Sequence, residues 1–153
     1  MVFDSQGTLW LACETGLGML PSDGSFYVNT VADGLLSSNV RAVTVGPQDV
    51  LWMATAKGLA RRRPDGRWTR FTTESTEGGV RSMELWDVYA EPSGVLWMAN
   101  DKGISRRTPE KADWSYYDLP AARRVLPAPD GAIWVGTMGG LYRLQPAELT
   151  PIP

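Results

Sequence analysis

The side chains with the most useful chemistry stand at one repeated place. Val43, Val88 and Val125 are apolar anchors of three similar stretches, and two residues before each the chain reads Arg41, Trp86 and Arg123. An arginine offers charge-assisted, bidentate hydrogen bonds to an oxyanion, and an indole packs on the C–H face of a sugar ring. Together they suit a small polar ligand, an acidic sugar above all. Asp87 and Arg124 adjoin them and add charge of both signs. A second set, Glu14, Lys57, Asp101 and Lys102, lies in the turns that follow tryptophan-bearing stretches.

Other chemistries are excluded by composition. The 153 residues include no His and one Cys, Cys13. That removes His bases, His-containing triads, His metal ligands, an internal disulfide and a Cys-based zinc site. There is no Asp-x-Asp-x-Asp-Gly calcium loop, no Ser-containing nucleophile motif and no glycine-rich phosphate loop. Neither metal nor cofactor is expected, and neither is catalysis. The formal net charge of -2 gives no bulk attraction to nucleic acid or anionic membrane. The run ARRRPDGRWTR crosses an expected hairpin, so its arginines alternate between faces. It is expected as a solvated edge whose charges discourage strand pairing. Cys13 ends an apolar strand and is expected to be buried. No apolar run is long enough to cross a bilayer, and MVFDSQGTLW lacks the basic and apolar segments of a signal peptide.

The elements that must position these residues form a repeat. GTLWLACETGLGML, DVLWMATAKGLARR, GVLWMANDKGISRR and GAIWVGTMGGLYRL carry Trp10, Trp52, Trp97 and Trp134 at steps of 42, 45 and 37 residues. Each tryptophan precedes a glycine by six positions: Gly16, Gly58, Gly103 and Gly140. Two positions after each tryptophan stands a small residue, Ala12, Ala54, Ala99 or Gly136. LWMAT is apolar at every other position on both faces, so it is a strand covered on both sides. The tryptophan fills the gap to one neighbouring sheet, and the small residue on the same face lets that sheet approach. The glycine is expected to end a tight turn at positive φ. A second strand follows, then an outer strand opened by Phe26 and Tyr27, Trp68 or Trp114. An inner strand precedes each LW stretch, at NVRAVTV, ELWDVYA and RRVLPA.

Four short strands recurring about every forty residues define β-propeller blades. The fold class is therefore all-β: four-stranded antiparallel blades, about four in this chain, a partial or half propeller. The blades are placed at about 1–35, 36–78, 79–120 and 121–153, the first and last incomplete. Arg41, Trp86 and Arg123 then fall near the start of the inner strands, close to the channel mouth. Trp86 is the one tryptophan of seven outside both repeating Trp positions.

The segment DGLLSSNVRAVTVGPQDVLWMATAKGLARR resembles the two-component regulator propeller repeat, whose pattern runs Gly-Leu-x-x-Asn-x-Val, a short turn, then Leu-Trp-Ile-Gly-Thr-x-x-Gly-Leu-x-Arg. GAIWVGTMGGLYRL is similar to its second half. The resemblance covers most of the chain. It implies a ligand-sensing ectodomain of a bacterial signalling protein, periplasmic or extracellular, with glycan fragments among the ligands. Propellers of that family have about twice as many blades, so three arrangements stay open. The chain is a fragment of a larger sensor, a half-propeller that closes with a second copy, or a four-bladed ring. Two other functions compete with sensing. One is a protein-interaction or assembly scaffold. The other is a carboxylate-dependent lyase or hydrolase, since streptogramin-type lyases are similar propellers, although those use a catalytic His that this chain lacks.

Overall fold

The computed structural model describes residues 1–109 and 113–145. They form four antiparallel sheets in sequence order. The first holds β1 (Val2–Phe3), β2 (Leu9–Cys13), β3 (Gly16–Leu20) and β4 (Tyr27–Asn29). The second holds β5 (Val40–Val45), β6 (Leu51–Thr55), β7 (Gly58–Arg62) and β8 (Trp68–Phe71). The third holds β9 (Leu85–Ala90), β10 (Leu96–Asn100), β11 (Gly103–Arg107) and β12 (Trp114–Asp118). The fourth holds β13 (Ala122–Pro127), β14 (Ile133–Thr137) and β15 (Gly140–Leu144). An outer strand of the fourth sheet would fall on residues 146–153, outside the described residues.

The core lies between sheets, as a strand apolar on both faces requires. On β6, Leu51 and Met53 pack toward the first sheet, while Trp52 and Ala54 pack toward the third. Trp97 and Ala99 pack the same way toward the fourth. The tryptophan and the small residue two positions later thus share a face. Burial of these apolar surfaces is the main source of cohesion between blades.

Inner strands β5, β9 and β13 are neighbours in space, with β2 and β1 beside β5. No comparable packing joins the first sheet to the fourth among the described residues, so the array does not close into a ring. The last sheet exposes Leu126 and Leu141.

The repeated glycines end the turn at positive φ as expected, and Gly16, Gly58, Gly103 and Gly140 each open the second strand of the hairpin. The turn itself is tied by the residue three positions after the tryptophan. Thr55 Oγ1 donates to the Gly58 carbonyl at 2.7 Å and accepts from the Lys57 amide at 3.1 Å. Thr137 does the same with Gly140 and Gly139. Cys13, at the equivalent place in the first sheet, is half-buried rather than buried.

Candidate functional site

Each inner strand carries an irregularity at the same register. On β5, Val40 pairs with Thr55 and Ala42 with Ala54, leaving Arg41 unpaired. On β9, Leu85 pairs with Asn100 and Asp87 with Ala99, leaving Trp86 unpaired. On β13, Ala122 pairs with Thr137 and Arg124 with Gly136, leaving Arg123 unpaired. These are β-bulges, which re-aim a side chain that regular pairing would hold in line. Three neighbouring strands therefore turn three residues toward one place.

Those three side chains meet. The Arg41 guanidinium carbon lies 3.8 Å from the centre of the Trp86 ring, and that of Arg123 lies 4.2 Å from it. They come from strands on opposite sides of β9, so the indole is held between two guanidinium planes by cation–π attraction. This changes the expected role of Trp86. Its face is already covered by arginine and is not a platform for a sugar ring. Stacking occupies the flat face of a guanidinium and leaves its N–H edge free to donate.

The edges are unequally used. Arg41 Nη1 donates to the Leu85 carbonyl at 3.2 Å and sits 2.7 Å from Glu84 Oε2. Among the described residues Arg123 reaches only the Ala122 carbonyl of its own strand, at 3.3 Å. Arg124 is largely exposed and stands 3.8 Å from Asp87 Oδ1. A cavity of about 580 Å³ opens here, lined by Arg41, Trp86, Arg123 and Arg124 together with Glu14 and Asn39. That volume suits a small ligand. Lys57, Asp101 and Lys102 are exposed in their turns and do not line it.

Asp87 has a different job from the arginines. It is buried, and its Oδ1 accepts from the Val88 amide at 3.0 Å. Its Oδ2 accepts from the Val125 amide at 2.9 Å, across the gap from β9 to β13. The carboxylate is an inter-blade tie rather than a ligand contact. Burial pushes its pKa up, against the lowering influence of the Val125 amide and Arg124. A carboxyl raised in the folded state stabilises most below its unfolded pKa of about 4, and that contribution is lost as pH rises through the folded pKa. Asp87→Asn removes this titration. Urea unfolding across this range is expected to show the variant gaining on the parent as pH rises. A constant difference, or the opposite slope, contradicts the assignment.

The arginines of ARRRPDGRWTR do alternate. Arg61 lies over Trp52 and Phe71, and Arg62 over Trp10 and Trp68. Half-buried on aromatic rings, these two are not the solvated edge expected; Arg63 and Arg67 are exposed. The physical reason is the tryptophan repeat, which offers each inward-facing arginine stem and head an apolar surface.

No protein-family model matches the chain, and no curated protein matches it in sequence. Solved structures do match in fold. The extracellular domain of the hybrid two component system BT3049 from B. thetaiotaomicron superposes with a TM-score of 0.83 at 22% identity, over 97% of this chain and 22% of that one. Virginiamycin B lyase from Staphylococcus aureus superposes at 0.70 and 17% identity, over 94% of this chain and 54% of the lyase. A gluconolactonase from Xanthomonas campestris superposes at 0.67 and 15% identity, over 91% and 54%. The chain thus spans about a fifth of the sensor domain and about half of each enzyme. At these identities the likeness establishes the propeller fold. No helix among the described residues is long and apolar enough to cross a membrane.

Proposed function

We propose that this chain is a non-enzymatic sensing module, part of a propeller ectodomain outside the cytoplasm, that binds an acidic glycan fragment or similar small anion at the inner-strand bulges. The observation that carries this is the register of the three bulges, which turn Arg41, Trp86 and Arg123 into one cavity. Arg123 and Arg124 supply the free donors; Trp86 and Arg41 hold the stack in place. A carboxylate on a sugar would take two N–H groups from one guanidinium edge.

Two features support binding over catalysis. Glycoside cleavage uses a pair of carboxyl groups. Glu14 is the one carboxylate lining the cavity among the described residues, and both oxygens of Asp87 are taken by backbone amides. One solved form of virginiamycin B lyase is a catalytically inactive variant with a histidine changed to alanine, and this chain has no histidine. A second function, self-association, is favoured by Leu126 and Leu141, exposed on the last sheet among the described residues.

Calorimetric titration with trigalacturonate and with neutral maltotriose tests the proposal. Trigalacturonate is expected to bind, more weakly as salt rises, and Arg123→Ala to weaken it about tenfold or more, the worth of a charge-assisted hydrogen bond. Equal binding of the neutral sugar, or no binding of either, sinks it.

A further inference from the structure

The backs of the blades hold a second site, at the opposite end of the inner hairpins. Four positions there are structurally equivalent. The amides of Asp4, Gly46, Glu91 and Ala128 each donate to the carbonyl four residues on, at Thr8, Val50, Val95 and Ala132. Each lies six residues before its blade's repeating tryptophan. In the first blade, Asp4 Oδ2 accepts from Trp10 Nε1 at 2.9 Å. In the third, Glu91 Oε1 accepts from Trp97 Nε1 at 2.6 Å. In the second, the equivalent residue is Gly46, and its missing side chain leaves Trp52 Nε1 without an acceptor among the described residues. A Cβ built on Gly46 would sit 3.3 Å from that nitrogen, so the carboxylate's usual place is next to it.

The surroundings of Trp52 Nε1 are cationic. Trp52 lines a cleft of about 770 Å³ between the second and third sheets, together with Arg61, Arg63 and Arg107. Arg61 and Arg107 lie 5.5 and 5.7 Å from the Trp52 ring, one from its own blade and one from the next. Arg61 Nε is buried with no hydrogen-bond partner. None of the three arginines is ion-paired among the described residues, and Asp65, also in the lining, is held by Arg67. Burial, then the like charges of Arg63 and Arg107, lower the pKa of Arg61. Ala128 leaves Trp134 without an acid in the same way, but no following sheet among the described residues closes over it with a second arginine.

We infer that this inter-blade cleft binds the carboxylate of a small organic acid in the place where sibling blades carry Asp4 and Glu91. The carboxylate accepts from Trp52 Nε1 and is neutralised by the surrounding guanidinium groups. Gly46 is what makes room for it. The site stands independently of the bulge cluster.

Two-dimensional NMR of the indole N–H groups tests this on the full chain. The Trp52 signal is identified by its loss in Trp52→Phe. About 10 mM D-glucuronate is expected to shift it, a concentration matched to one small carboxylate, and D-glucose to leave it in place. Arg63→Ala, at an exposed position, is expected to weaken the response about fivefold or more. Gly46→Asp supplies the carboxylate from the chain itself and is expected to abolish it. Three results overturn the inference: a Trp52 signal unmoved by glucuronate, one moved equally by glucose, or one moved by inorganic sulfate alone. A full response in Arg63→Ala overturns it even if Gly46→Asp does not fold.

Discussion

Trp97→Ala is expected to cost about 3–5 kcal/mol of stability, the range for truncating a large buried aromatic side chain. Trp97 is fully buried, stacks on Tyr117 with ring centres 6.0 Å apart, and donates to Glu91. Removing it opens a cavity between the third and fourth sheets and takes the indole donor from Glu91, which keeps only Ser93 among the described residues. A domain of this size is stable by about 5–15 kcal/mol, so the loss is a large share of the total. Trp134 is the control. It repeats the same position but is half-buried on the last sheet, and among the described residues its indole has no acid partner. Its alanine variant is expected to lose less than half as much. Urea unfolding of the two variants decides the matter, and equal losses would mean that inter-blade packing is not what holds the array together.

The second large effect is at Gly103. Its φ is +114°, and a Cβ there would lie 2.4 Å from the Tyr117 carbonyl oxygen and 2.6 Å from the Leu119 amide. Both neighbours are backbone, so β12 must move away from β11 to admit a methyl group. Gly103→Ala is expected to cost about 3 kcal/mol or more, combining left-handed strain with overpacking. Gly140 has a similar φ of +129° but, among the described residues, nothing within 4 Å of its Cβ position. Gly140→Ala is expected to cost only about 1–2 kcal/mol, the strain alone. Thermal melts of the pair separate close approach from turn geometry; matching losses would show that φ is the whole effect.

That contrast marks where sequence reasoning stopped. Positive φ at the repeated glycines follows from the tryptophan-to-glycine spacing. The close approach of the outer strand does not, because it depends on pairing between strands with no fixed spacing. Strand order, and the sharing of a face by Trp52 and Ala54, were legible because alternation in a strand is a matter of counting. Arg41, Trp86 and Arg123 could be singled out because their chemistry changes at an otherwise constant place. The bulges that bring them together have no sequence mark of their own. Nor could Asp87 be told from a ligand contact, since its equivalents Ala42 and Arg124 share none of its chemistry. The series Asp4, Gly46, Glu91 and Ala128 was readable by the same comparison of repeats. It gains meaning only once the indole hydrogen bonds of Trp10 and Trp97 show what Asp4 and Glu91 do.

The division of the chain into a repeated scaffold and a few variable, functional positions is tested most directly by mapping NMR shifts as trigalacturonate is added. The predicted result is one set of changes centred on the Trp86 indole and the Arg41, Arg123 and Arg124 amides and a second at the Trp52 indole, with the Trp10 and Trp97 indole signals in place. Shifts that miss Trp86 and the bulge residues while the sugar binds would place the site elsewhere and contradict the account.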